Sequence, residues 1–170
     1  MPIPLIAEIK YTGLVPKGMK KRVFNDILRE AYTETGRYWH ERYLPDHFTV
    51  QGARKYGYKK RKGEGESGKS FWKSYSGQKK KYKGHMRPLV FSGEGETQSR
   101  LFRPRATKKG VAVILPRKFN FRHPNSEVNM REEITATTPD EIADMQRFFE
   151  REVQKRLDAM NDTEQQTIRS

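Results

Sequence analysis

An α+β fold is predicted: a small antiparallel sheet packed with a long N-terminal helix and a C-terminal helix, with a long basic loop inserted between them. Three observations carry it. Short alternating stretches stand near the N-terminus and again in the second half of the chain, as half-buried strands require. Two longer stretches repeat apolar residues at three- and four-residue steps, as amphipathic helices do. Between them lies a run with no apolar period and a heavy excess of lysine.

The elements follow in order. Leu5 to Tyr11 alternates, with Leu5, Ala7, Ile9 and Tyr11 on one face, which predicts a strand. Gly13 to Gly18, with Pro16 inside, reads as a turn. Val23, Phe24, Ile27, Leu28, Ala31, Tyr32, Tyr38, Trp39 and Tyr43 then mark a helix that stops near Leu44-Pro45. Gly36 is expected to weaken or break it midway. From about Gly52 to Pro88 we expect an extended, mobile insertion. Pro88 to Gly93 is a short apolar segment entering a turn. Gln98–Arg105 and Val111–Leu115 are expected to form a hairpin through Lys108-Lys109-Gly110. Ile134 and Ala136 among threonines predict one more short strand. Thr138-Pro139-Asp140-Glu141 is a capping box, and Ile142, Met145, Phe148, Phe149, Val153, Leu157 and Met160 mark the helix it opens, to about Ala159. The length favours one domain over 1–160, with the basic loop at about 52–88 and a polar flexible tail over 161–170.

Composition narrows the function classes. The chain has 170 residues, 34% hydrophobic and 33% charged, so its core is small. Its 35 Lys+Arg against 21 Asp+Glu give a net charge of +14, which asks for an anionic partner. The charge is uneven: residues 51–88 hold 13 Lys+Arg and 2 Glu, a net of +11. Residues 131–164 hold 10 acidic and 5 basic residues, a net of −5. With no cysteine there is neither a disulfide framework nor a thiolate site. No run of apolar residues is long enough for a membrane span, so no membrane partner is expected. The start at Met1-Pro2-Ile3-Pro4-Leu5 has neither the basic nor the apolar region of a signal peptide. A soluble, intracellular or particle-bound protein is expected.

Gly63-Glu64-Gly65-Glu66-Ser67-Gly68-Lys69-Ser70 matches the phosphate-binding pattern GxxxxGK[ST] letter for letter. That mechanism needs an apolar strand before the loop and a helix after it. Here Lys55 to Lys62 precede it, two glutamates sit inside it, and Phe71 to Gly77 show no helical stripe. We read the match as coincidence in a flexible basic turn. His40, His47, His85 and His123 lack ligand spacing, so no metal is expected, and His40 and His47 read as surface or capping residues. Glu132-Glu133 reads as a solvated pair. No catalytic constellation and no cofactor site emerge, and no enzymatic role is expected.

The strongest functional signal is the basic run. Arg54, Lys55, Lys59, Lys60, Arg61, Lys62, Lys79, Lys80, Lys81 and Lys83 interleave with Tyr56, Tyr58, Phe71, Trp72, Tyr75 and Tyr82. Cations meet phosphates, and aromatics such as Trp72 stack on bases or wedge against proteins. Three readings stay open: a solvated loop, a contact to nucleic-acid phosphates without sequence readout, or docking on an acidic protein surface.

The order of several motifs resembles a known group. Trp39-His40-Glu41-Arg42-Tyr43-Leu44-Pro45-Asp46-His47-Phe48-Thr49 runs into Tyr56-Gly57-Tyr58 and a basic stretch. Arg87-Pro88-Leu89-Val90-Phe91-Ser92-Gly93 follows, and then Asn129-Met130-Arg131-Glu132-Glu133-Ile134 before the capped helix. In this the chain resembles the neck and tail-completion proteins of tailed bacteriophages, in which such segments frame a small sheet. The insertion at about Gly57 to Gly84 is longer and more basic than that pattern.

The resemblance implies a structural virion protein with no catalytic role. Copies would form a homo-oligomeric ring, hexameric by expectation, between head-side connector or adaptor proteins and tail-tube or terminator proteins. Genomic DNA would pass through it, with non-specific contact to basic residues. It would be found in the virion neck, and in the host cytoplasm during assembly. The alternative is a non-catalytic nucleic-acid-binding accessory protein that works through the basic, aromatic-rich run.

Overall fold

The computed structural model describes residues 9–90, 92–101, 103–120 and 127–169, and side chains up to residue 160. The fold is α+β and mostly helical. Seven α-helices and one two-stranded antiparallel sheet stand among the described residues. The chain divides into two compact units. Among the described residues one draws on 40–101 and 115–136, the other on 9–39, 103–114 and 137–169.

In the second unit, α1 (Lys21–Arg42) contributes its run up to Trp39, and α7 (Pro139–Arg169) is the other long helix. Their apolar stripes meet as the periodicity requires. Tyr32 stacks on Phe149 and Tyr38 on Phe148, each pair with ring centroids 4.3 Å apart. The Tyr38 hydroxyl donates to Asp144 Oδ2 at 2.6 Å. Thr138 opens α7 as the capping box predicts: Glu141 N–H donates to Thr138 Oγ1 at 3.3 Å, and Thr138 N–H donates to Glu141 Oε2 at 3.1 Å. The backbone of α7 stays helical to Arg169, beyond the end expected near Ala159 and through the stretch expected as tail.

Gly36 does not break α1. Its missing Cβ makes room for Val111: a methyl built there would stand 2.9 Å from Val111 Cγ2. Val111 belongs to β2 (Gly110–Val113), which pairs with β1 (Pro104–Thr107) through the two-residue turn Lys108-Lys109. The hairpin is the one expected, with a shorter first strand. Gln98 and Ser99 instead close a short helix, α5 (Glu94–Ser99).

Of the strand expected over Leu5 to Tyr11, residues 5–8 lie outside the described residues, as does Phe91 of the apolar segment Pro88 to Gly93. Among the described residues, Ile9 to Tyr11 pair with no strand. They bond to a helix side chain instead. Gln146 accepts from Lys10 N–H at 3.1 Å and donates to Lys10 O at 2.6 Å, so one amide satisfies the backbone donor and acceptor a neighbouring strand would have met. The Tyr32 hydroxyl donates to Ile9 O at 2.7 Å.

The first unit overturns the expectation of an extended insertion. Residues 50–83 hold three short helices: α2 (Val50–Lys55), α3 (Gly68–Lys73) and α4 (Tyr75–Lys83). Each is made by its ends rather than by a stripe. Thr49 Oγ1 accepts from Gly52 N–H at 2.9 Å, Ser74 Oγ accepts from Gly77 N–H at 3.2 Å, and Gly84 closes α4 at φ 71°. Gly77 is the close approach: a Cβ there would lie 2.0 Å from Phe71 O, so only glycine lets α4 start against α3. Phe71 is the buried anchor.

The strand expected at Ile134 and Ala136 is also a helix, α6 (Met130–Ile134). Asn129 caps it by accepting from Glu132 N–H at 3.4 Å. Ile134 is fully buried where α6 packs on the short 3-10 turns that carry the buried Phe48 and Phe119, and that burial overrides the β-propensity of the threonines. No helix among the described residues is long and apolar enough to cross a membrane.

Candidate nucleic-acid interface

The basic run is an ordered surface. Its tie to the interior is Glu133, on α6, whose side chain is 7% exposed. Arg61, 15% exposed, forms a two-pronged pair with it at 2.7 and 2.5 Å, and Lys59 N–H donates to Glu133 Oε1 at 3.2 Å. The fork geometry of guanidinium on carboxylate fixes both partners. The Glu133 carbonyl meets His47 Nδ1 at 3.0 Å, and the Tyr58 hydroxyl stands 2.5 Å from the same nitrogen. The His47 ring lies flat on Tyr56, 3.9 Å between centroids. Glu133 is therefore no solvated surface acid, and His47 is buried rather than a surface residue. His40 is buried too, its Nε2–H donating to Ser99 O at 2.6 Å. His123 lies outside the described residues.

A second tie is Lys79, on α4. It is 5% exposed, its ammonium donates to Arg87 O, and it sits 5.9 Å from the Tyr75 ring centroid. Burial, with the Arg61 and Arg87 guanidiniums adding to it against the pull of Glu64, lowers its pKa from 10.5 to about 8. Arg87 in turn bonds Glu96 at 2.8 Å and Phe48 O at 3.2 Å. Arg61 and Lys79, two of the residues singled out in the sequence, thus direct their charge inward.

The others face solvent. Arg54, Lys59, Lys60, Lys62, Lys80, Lys81 and Lys83 are exposed. Lys55 is exposed but engaged: it pairs with Asp46 at 3.2 Å and lies over the Tyr43 and Tyr56 rings at 5.5 and 5.0 Å. Trp72 and Tyr75 are each 48% exposed and Tyr82 67%, with Lys81 over the Tyr82 ring at 5.3 Å. Arg87 and Glu96 were not singled out as site residues, and Glu133 was read only as half of a solvated pair. No local signal marked Glu133, because its burial is set by Arg61 and Lys59, more than 70 residues away in the chain.

The GxxxxGK[ST] match takes no phosphate-loop form. No strand precedes it among the described residues, and Gly63 and Gly65 serve as turn positions at φ 86° and 88°. Ser70 Oγ donates to Glu66 Oε2 at 2.8 Å. Among the described residues no cluster of His, Asp and Glu is arranged to hold a metal. No family model matches the chain, and no curated protein and no solved structure does so.

Proposed function

We propose that the chain is a structural protein of a tailed-phage virion, forming a ring in the neck that completes the tail and joins it to the head. DNA passes through the ring, and copies meet through heterologous contacts that close by rotation. The observation that carries this reading is the surface of α2, α3 and α4. It displays exposed cations on helices tied to the interior by Arg61–Glu133 and by Lys79. A fixed positive surface suits a lumen that must attract DNA without reading its sequence. The ordered motifs quoted above set this reading ahead of a free-standing binding protein.

Exposed Trp72, Tyr75 and Tyr82 support a second reading, a nucleic-acid-binding accessory protein that stacks bases on these rings. Deleting the gene from its phage and imaging the lysate by negative-stain electron microscopy separates the two. The neck reading expects DNA-filled heads beside separate, complete tails. Normal particles would overturn it and leave the accessory reading, while tails of abnormal length would move the protein to tail termination.

A further inference from the structure

α3 and the turn before it enclose a cleft of about 450 Å³ lined by Lys62, Glu66, Lys69, Ser70, Lys73 and Ser74. Lys69 and Lys73 are four residues apart on α3, so they share one side of the helix. Lys62 enters from the preceding turn. Three ammonium groups and one carboxylate line the cleft, a local charge of +2. None of the three lysines forms an ion pair with a described residue, and all three are exposed. Like charges at this spacing work against a helix of only six residues, and among the described residues lining the cleft the single carboxylate of Glu66 offsets only one of the three. An anion would.

We propose that this cleft binds a phosphate group of the DNA backbone, with Lys62, Lys69 and Lys73 as its ligands. The chemistry favours a phosphodiester over the dense charge of a nucleotide's terminal phosphates for two reasons. Glu66 stands in the cleft and penalises each added negative charge. The Ser70 hydroxyl donates its hydrogen bond to Glu66 Oε2, so it is not offered as a donor to a terminal phosphate oxygen. A single negative charge per phosphate fits a cleft of +2, and Trp72, exposed on the same helix, offers a ring beside the strand. Lysine serves here as a point charge, which holds a backbone without selecting sequence. The proposal rests on the reading of this surface as facing DNA; it adds Lys73, which the sequence did not single out, and Lys69, which the sequence met only in the dismissed GxxxxGK[ST] match.

The test uses the full chain and a short fluorescein-labelled DNA duplex, with anisotropy measured across a salt series. Replacing Lys62, Lys69 and Lys73 by Gln should weaken binding by about tenfold or more and flatten the slope of log affinity against log salt by roughly two to three. A control in which Lys17, Lys108 and Lys109 become Gln loses the same net charge and should keep most of the slope. Glu66→Gln should tighten binding, which no purely structural role for Glu66 would do. Equal slopes for the two triple variants would overturn the proposal. So would stoichiometric displacement of the duplex by inorganic triphosphate, which would make the cleft a site for terminal phosphates. Neither result touches the neck reading, which stands or falls on the particles formed without the gene.

Discussion

At the scale of single residues, the cationic run separates into charges that hold the protein together and charges that face outward. Arg61 is spent on Glu133, and Lys79 on the Arg87 carbonyl. Lys79 gives a pH dependence with a definite sign. Between about 8, its folded value, and 10.5, its ordinary one, the unfolded chain holds a proton that the folded chain has released. Stability therefore rises as the pH is raised through that window, and the cost of burying the charge is fully present below it. Urea denaturation from pH 7 to pH 10 should show the rise, and Lys79→Met should abolish it. Tyr75, whose pKa burial raises, acts in the opposite direction only above its ordinary value of 10.0. None of this was legible in the sequence, where Lys79 reads like its neighbours Lys80 and Lys81. Burial of one lysine among several depends on Tyr75, Arg61 and Arg87 converging on it from three places in the chain.

At the scale of elements, periodicity succeeded where a helix is long and failed where it is short. The stripes of α1 and α7 each span several turns, so local sequence reports the face that is buried. α2, α3 and α4 each bury one to three residues, too few to repeat. Their caps, Thr49, Ser74 and Gly84, were the readable signal, and the density of lysine hid it. Gly36 shows how tertiary packing reverses a local expectation. Alanine is the better helix former by about 1 kcal/mol. The added methyl would stand 2.9 Å from Val111 Cγ2, and overpacking costs about 1–3 kcal/mol. Gly36→Ala should therefore destabilise the protein by about 1 kcal/mol, and in a Val111→Ala background the same change should become stabilising. Chemical denaturation of the four proteins in this cycle checks both signs.

At the scale of the whole molecule, charge is the organising quantity. The stretches 40–102 and 115–136 carry 19 Lys+Arg against 9 Asp+Glu, a net of +10, and the remainder 16 against 12, a net of +4. If a basic surface of one copy meets the acidic stretch 131–164 of another, the contact is electrostatic and sensitive to salt. Screening shortens from about 10 Å at 0.1 M to about 3 Å near 1 M salt. Sedimentation velocity should then show multi-copy species of the 20.0 kDa chain at low ionic strength that dissociate at high salt. A mass indifferent to salt would put the contact on apolar surface instead. The sequence by itself determined the two long helices, the capping box at Thr138, the hairpin and the excess of positive charge, because each is written in neighbouring residues. Tertiary structure alone decided that the basic run is helical, that Gln146 stands in for a strand beside Lys10, and that Lys62, Lys69 and Lys73 share a cleft while Arg61 and Lys79 turn inward. Those outcomes hang on contacts between residues far apart in the chain, and a local pattern carries no record of which distant partner will satisfy a buried group.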